Sequence, residues 1–108
     1  MPLDLSDDYL SLVITTESDY NNARNLANHI LKMQLSKCVS LSRIDSIYWW
    51  EDSLEEAKEV QITIKTKPEL LDYLILTLKK KHTYEIPQII CLRASSSVEY
   101  KKWLVQPF

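Results

Sequence analysis

Apolar and polar residues alternate most regularly in the middle of the chain. Three β-branched residues occupy alternate positions there, namely Val60, Ile62 and Ile64. A period of two residues is typical of a strand with one face against a core, so we predict a strand over residues 55–66. The run from Cys38 to Trp50 predicts a preceding strand. A turn at Glu51–Leu54 would join the two as an antiparallel hairpin.

Two further stretches show the three- and four-residue spacing of one helix face. The first follows Ser18-Asp19, which offers an N-cap, and its apolar residues are Ala23, Leu26, Ala27, Ile30, Leu31 and Leu35. The second follows Thr66-Lys67-Pro68-Glu69, which has the spacing of a capping box with an early proline. Its apolar residues are Leu71, Leu74, Ile75 and Leu78. Each stretch predicts a helix.

Short apolar runs predict strands at Tyr9–Thr16 and Gln88–Leu92, and Ser96-Ser97 would cap a last helix. The predicted order is strand, helix, strand, strand, helix, strand, helix. It indicates an α+β fold, the ferredoxin-like βαββαβ sandwich with an extended hairpin between its second and third strands and a C-terminal helix. We expect one domain over residues 9–108 behind an N-terminal tail over residues 1–8.

The predicted hairpin is long for a domain of this size. A strand of a dozen residues spans about 40 Å, whereas a compact domain of about 100 residues has a diameter near 34 Å. The tip carries Tyr48, Trp49 and Trp50, and adjacent strand residues point to opposite faces, so both tryptophans cannot enter one core. We expect the tip to overhang and to be covered by a neighbouring copy of the chain. A bulged hairpin that bends back over its own helices is the alternative.

Composition argues against several classes of function. The formal net charge of −2 disfavours a nucleic-acid partner, and the absence of glycine excludes glycine-rich phosphate loops. The first eight residues are acidic where a signal peptide is basic, and no apolar run has the length of a membrane span, so we expect a cytoplasmic protein without a membrane partner. No nucleophile can be tied to a base and an orienting group, so we expect no enzyme activity and no catalytic residues.

The two cysteines, Cys38 and Cys91, lack the CxxC spacing of a redox or zinc motif and are expected to be reduced. A free cysteine is most often a small buried apolar residue. Cys91 lies inside an apolar run, so we expect it in the core.

The chain resembles the CutA family of divalent-cation tolerance proteins from about Leu12 to Trp103. The segments that carry the resemblance are Asp19–Leu31, Lys37-Cys38-Val39, Ser46–Trp50, Glu59–Thr66, His82–Pro87 and Tyr100–Leu104. The resemblance implies a ferredoxin-like subunit in a tight cytoplasmic homotrimer whose hairpins pair with neighbouring subunits. It also implies kinship in shape with the trimeric PII signalling proteins, and Cu²⁺ or another divalent cation as a ligand.

The chain departs from the pattern of the family at several positions. The copper site that the resemblance implies uses a cysteine near the end of the first strand and a histidine pair before the Tyr-Glu segment, and these positions read Thr15, Lys81 and His82. His82 is thus the one remaining candidate metal ligand, and we expect weak or conditional metal binding. The glycine that follows the tryptophans in the family is Asp52 here. The proline after the histidine is Thr83, and the acid after the second proline is Gln88.

His82, Tyr84 and Glu85 place an imidazole, a phenol and a carboxylate within four residues. We predict a pocket at a subunit boundary that contains Tyr84 and Glu85, with Cys38, Glu59 and Lys65 contributed across the interface. The alternative is that these residues only end the second helix and form hydrogen bonds across the trimer. Two functions remain open: a binder of divalent cations, or a PII-like signalling or scaffold trimer whose clefts bind a small molecule or a protein partner.

Overall fold

An antiparallel sheet of four strands is the framework of the chain in the computed structural model, which describes residues 3–4 and 9–108. The order across this sheet is β3-β4-β2-β5, and helices α1 and α2 pack on one face of it. The fold is therefore α+β. The elements of the sheet and its helices are β2 (Leu10–Glu17), α1 (Tyr20–Lys32), β3 (Cys38–Trp50), β4 (Ser53–Thr66), α2 (Leu71–Lys81) and β5 (Ile90–Ala94).

Two short strands and a last helix lie outside this framework. Leu3–Asp4 (β1) pairs antiparallel with Ser96–Ser97 (β6), and Val98–Val105 forms α3. Positions 1–2 and 5–8 of the predicted N-terminal tail lie outside the described residues, and its separation from the domain stays a prediction.

The core lies between the sheet and the two helices. Its fully buried members share an inward-facing position on α1, α2, β2 or β4, and they include Ala23, Ile30, Leu74, Leu78, Val13, Ile62 and Ile64. The alternating residues of β4 and the helical stripes predicted from sequence thus meet in one cluster. Burial of these apolar surfaces, at about 25 cal/mol per Å², is the main term that holds helices against sheet.

Two of the three helix N-caps predicted from the sequence are present. The Asp19 side chain accepts a hydrogen bond from the Asn22 amide at 2.7 Å, and the Ser97 side chain accepts one from the Tyr100 amide. The predicted capping box at residues 66–69 is wrong. The Thr66 hydroxyl donates instead to the Leu35 carbonyl at 2.7 Å, and the 3₁₀ turn at Pro68–Leu70 precedes α2 without a side-chain cap.

The hairpin of β3 and β4 is regular over its whole length. Thirteen rungs connect Cys38 opposite Lys65 to Trp50 opposite Ser53, with no bulge. The bent alternative is therefore wrong. Only two residues, Glu51 and Asp52, form the turn, and both have positive φ angles of 49° and 63°. Positive φ at both central residues is the pattern of a type I′ turn. Glycine or asparagine normally occupies these positions, because they tolerate positive φ.

The hairpin extends well past the packed core. The core residue of β4 nearest the hairpin tip is Val60, which lies opposite Arg43. Residues 44–50 of β3 therefore extend about 23 Å beyond the core. The chain measures 45 × 26 × 21 Å, and its radius of gyration of 15.0 Å exceeds the roughly 13 Å of a compact domain of this length. The overhang predicted from strand length is present.

Strand β5 forms one edge of the sheet and starts two residues later than predicted. It pairs with β2, with Leu12 opposite Leu92 and Ile14 opposite Ile90. Cys91 is exposed on this strand, so the expectation of a core cysteine is wrong. The reason is that an edge strand has a neighbour on one side only, and α1 and α2 cover the central strands.

Candidate functional site

A cavity of about 690 Å³ lies between the hairpin and the segment that follows α2. We call it the hairpin cavity. Its volume is typical of small-molecule sites. The residues that line it come from β2, β3, β4 and the 83–88 segment, and they are Thr16, Ser46, Ile47, Tyr48, Trp50, Glu59, Thr83, Tyr84, Glu85, Ile86 and Gln88.

Strand register explains how the hairpin contributes to this cavity. Glu59 lies opposite Ile44 and Tyr48 lies opposite Glu55, and directly opposed residues share a face of the sheet. Tyr48, Trp50 and Glu59 are therefore all on the face away from α1 and α2. The sequence alone left this register open.

A hydrogen bond joins the two walls of the cavity. The Tyr84 hydroxyl donates to Glu59 Oε2 at 2.5 Å, so the phenol on the loop is fixed to the carboxylate on the hairpin. Burial raises the pKa of Tyr84 far above its usual value of 10, and the hydrogen bond to Glu59 and the negative charges of Glu59 and Glu17 raise it further. Tyr84 thus remains a hydrogen-bond donor over the whole physiological pH range.

His82 anchors the loop beneath the cavity, and its side chain is fully buried. The Tyr84 amide donates to His82 Nδ1 at 3.0 Å, so the ring proton is on Nε2, which donates to the Thr16 carbonyl at 2.6 Å. Both ring nitrogens are therefore engaged. The ring also packs against that of Tyr84, with centroids 4.9 Å apart.

Glu17 completes the anchor and was not predicted. This carboxylate is 1% exposed, and it accepts hydrogen bonds from the Thr83 hydroxyl and from the amides of Thr83 and Ser18 at 3.0 and 3.1 Å. We call the contacts of Glu17, His82, Thr83 and Tyr84 the loop network. An acidic residue between a strand and a helix N-cap is normally exposed to solvent. No local sequence pattern therefore predicts that Glu17 is buried.

The side chains at the positions where the resemblance implies copper ligands do not form a ready metal site. Among the described residues, no group of three His, Cys, Asp or Glu side chains is placed to hold an ion. Thr15 is buried and its hydroxyl has no hydrogen-bond partner, Lys81 is exposed, and His82 has no free nitrogen. A hydroxyl and an ammonium are poor ligands for copper, so these residues do not fit a preformed divalent-cation centre.

The predicted pocket residues fall into two groups within one chain. Glu59, Tyr84 and Glu85 line the hairpin cavity, whereas Cys38 and Lys65 lie opposite each other six rungs away, about 20 Å along the strands. Contact between the two groups within one chain is therefore ruled out by distance.

Cys38 and Lys65 belong to a polar cluster at the base of the hairpin. Lys65 Nζ lies 3.4 Å from Cys38 Sγ and donates to Ser40 Oγ at 2.6 Å. Burial, with a hydrogen bond to Cys38, raises the pKa of Tyr100 to about 12. This cluster connects α3 to the face of the sheet that lies away from α1 and α2, which we call the open face.

The two tryptophans at the hairpin tip lie on opposite faces. Trp50 is 41% exposed and lines the hairpin cavity, while Trp49 is 72% exposed and points away from it. Ile47 and Leu54 beside them are also exposed. A single chain thus leaves a large apolar surface at the tip uncovered.

No helix among the described residues has both the length and the apolar character to cross a bilayer.

Comparison with known proteins identifies relatives of the chain over nearly its whole length. Residues 11–107 match the family described as CutA1 divalent ion tolerance protein. The divalent-cation tolerance protein CutA of Pyrococcus horikoshii is 34% identical over 96 residues, covering 88% of this chain and 94% of that protein. The protein of the same name from Pectobacterium atrosepticum is 35% identical over 95 residues, 86% of each.

Solved structures give the same result. The structure of CutA from Synechococcus elongatus superimposes with a TM-score of 0.90 at 35% identity, covering 95% of this chain and 92% of that one. Sequence and fold therefore agree, and the chain belongs to the CutA1 family of divalent ion tolerance proteins.

Proposed function

We propose that the chain works as a cytoplasmic homotrimer of ferredoxin-like subunits that are held together through the hairpin. The observation that carries the proposal is the hairpin tip, where Tyr48, Trp49, Trp50 and Leu54 are all exposed on a strand pair that extends beyond its own core. Exposed apolar patches of this kind mark interaction surfaces. The number of copies follows the trimer that the family resemblance implies.

The open face of the sheet supports the same proposal. Ile90 and Leu92 on β5 are 46% and 48% exposed, and they share this face with Leu12 and Ile14 of β2. A sheet face that carries aliphatic side chains gains stability when a second layer covers it. Neighbouring subunits would cover both this face and the hairpin tip.

An assembly of this kind makes thermal stability depend on protein concentration, because mass action favours the bound state. We expect the unfolding midpoint to rise as the chain is concentrated from the micromolar to the hundred-micromolar range. A midpoint independent of concentration, with a monomeric mass, would refute the assembly.

We further propose that the protein contributes to divalent-cation tolerance by weak and conditional binding of Cu²⁺ or a similar ion at His82. Coordination requires the ring to release the Thr16 carbonyl or the Tyr84 amide, and this cost supports a low affinity. A Cu²⁺ titration by calorimetry tests it. We expect His82→Ala to abolish the weak binding and His29→Ala, a control on the surface of α1, to retain it. Equal affinities in all three proteins would exclude His82.

A second candidate function is a PII-like signalling or scaffold role in which the hairpin cavity takes a small molecule. The observation that favours it is the 690 Å³ volume with aromatic, apolar and polar groups on its walls. In the trimer this cavity would be a cleft between subunits, since Tyr48 and Trp50 belong to the proposed interface. A thermal-shift screen of metabolites tests this candidate, because a ligand that binds only the native state raises its midpoint.

A further inference from the structure

The charged groups of the hairpin cavity are all acidic. Of the residues that line it, Glu59 and Glu85 are carboxylates and none is a lysine, arginine or histidine. Glu59 Oε2 accepts the Tyr84 hydroxyl, and no described residue donates to Glu59 Oε1. A negative potential in a concave site favours a cation.

The uncharged walls of the cavity are mainly aromatic and aliphatic. The rings of Tyr48, Trp50 and Tyr84 and the side chain of Ile86 provide them. Aromatic faces attract cations through the quadrupole of the ring, most strongly for tryptophan, and recognition of organic ammonium groups uses this effect together with carboxylates. An apolar wall also favours a ligand that has an apolar body.

The charge and polarity of the cavity lining discriminate among three classes of ligand. Nucleotides and other phosphates would meet two carboxylates and no cationic side chain of the chain that forms the cavity, so this lining disfavours them. A small inorganic dication needs more oxygen, nitrogen or sulfur ligands than the lining places together, and aromatic walls cannot replace its water shell. An organic cation satisfies both the charge and the apolar surface.

We propose that the hairpin cavity binds a small organic cation, an ammonium or guanidinium group carried on an apolar or aromatic body. The inference rests on the proposed trimer only in placing the cavity at a subunit boundary. Glu59 would pair with the cationic group, Tyr48 and Trp50 would enclose it, and Ile86 would contact the apolar body.

The test uses the full chain, three phenyl compounds of similar shape and different charge, and two further ligands of other classes. Binding of 2-phenylethylammonium is measured by calorimetry and by tryptophan fluorescence beside that of neutral 2-phenylethanol, anionic 3-phenylpropanoate, ATP and Zn²⁺. We expect the ammonium to bind at least about tenfold more tightly than the alcohol, because the aromatic faces and the carboxylate attract its charge. The anion and ATP should not bind, and Zn²⁺ should not displace the ammonium.

Two variants of β4 locate the site. Glu59→Gln keeps the shape of the side chain and an acceptor for Tyr84, and it should weaken ammonium binding at least about fivefold. Glu56→Gln changes an exposed acid on the opposite face of the same strand and should leave binding within twofold. Tighter binding of the alcohol, the anion or ATP than of the ammonium, or equal binding by both variants, would overturn the inference.

Solution mass is measured on the same samples, so the two proposals can fail separately. A trimer that binds none of the cationic probes overturns the cation site and leaves the assembly intact. A monomer that binds the ammonium overturns the assembly and supports the site. If Glu59→Gln dissociates the trimer while no probe binds, the cationic partner is a side chain of a neighbouring subunit, and the small-molecule proposal is wrong.

Discussion

The imidazole of His82 donates through Nε2 to the carbonyl of Thr16 across 2.6 Å, although 66 residues separate them in sequence. This contact joins the end of α2 to the end of β2. It places the 83–88 segment over the open face, where Tyr84 reaches Glu59 on the hairpin. His82, the one candidate metal ligand that the resemblance leaves, therefore has a structural role in this chain.

His82→Ala should lower the free energy of unfolding by about 3 kcal/mol. The substitution removes two hydrogen bonds and leaves the Thr16 carbonyl and the Tyr84 amide without these partners, at a cost of about 1–3 kcal/mol for each buried group. Chemical denaturation measures the change. His29→Ala, which removes a side chain that makes no hydrogen bond among the described residues, should cost less than about 0.5 kcal/mol. Similar small effects for both variants would show that the loop network contributes little to stability.

Asp52→Gly should stabilise the chain by about 0.5–1 kcal/mol. Asp52 has a φ of 63° in the two-residue turn, and glycine adopts this region without the steric cost of a Cβ atom. The thermal midpoint should rise accordingly. Ser53→Gly, one residue later at the start of β4, is the control and should lower the midpoint, because glycine weakens a strand. A lower midpoint for Asp52→Gly would contradict the turn geometry.

Alkaline pH should destabilise the fold between about pH 10 and 12. The pKa of Tyr100 is raised to about 12 from an ordinary value near 10, so in this range the folded state retains a proton that the unfolded state has lost. The stabilisation is complete below pH 10 and is lost as the pH rises through about 12. Tyr100→Phe should flatten the slope of unfolding free energy against pH, and Tyr73→Phe, on the exposed surface of α2, should not. An unchanged slope in Tyr100→Phe would refute the assignment.

Aromatic truncations at the hairpin tip should weaken association. Tyr48→Ala and Trp50→Ala each remove an exposed ring from the proposed interface, and loss of a buried interface aromatic costs about 2–4 kcal/mol. Sedimentation velocity over a dilution series measures dissociation. Tyr73→Ala is the matched control, since Tyr73 is an exposed aromatic on α2. If the tip variants dissociate no more readily than the control, the tip does not form the interface.

Much of the fold follows from local patterns in the sequence. The alternation of Val60, Ile62 and Ile64 correctly predicted β4, and the helical spacing of residues 23–30 correctly predicted α1, because each buries one face against the same core. The bounds of β3 were predicted without error, and the length argument for the hairpin depended on them. These successes come from elements whose burial and period agree.

The errors arose where tertiary contacts override local signals. The sequence of residues 66–69 has capping-box spacing, but the Leu35 carbonyl takes the Thr66 hydroxyl. The four-residue turn at residues 51–54 was too long, because Glu51 and Asp52 adopt positive φ without glycine. Cys91 has apolar neighbours in sequence, but its strand lies at the edge of the sheet.

The candidate site was only partly accessible from sequence. Tyr84 and Glu85 were identified, since a phenol and a carboxylate stand together after α2. The contact of Tyr84 with Glu59 depends on the register of the hairpin, and the burial of Glu17 depends on a loop that returns from 66 residues away. Neither relation has a local sequence pattern.

In the proposed assembly, other copies of the chain cover the exposed hairpin tip and the open face of the sheet. Sedimentation equilibrium of the unmodified protein at micromolar concentration tests it most directly. One chain has a mass of 12.7 kDa, so we expect a single species of about 38 kDa. A species of 12.7 kDa at this concentration would contradict it.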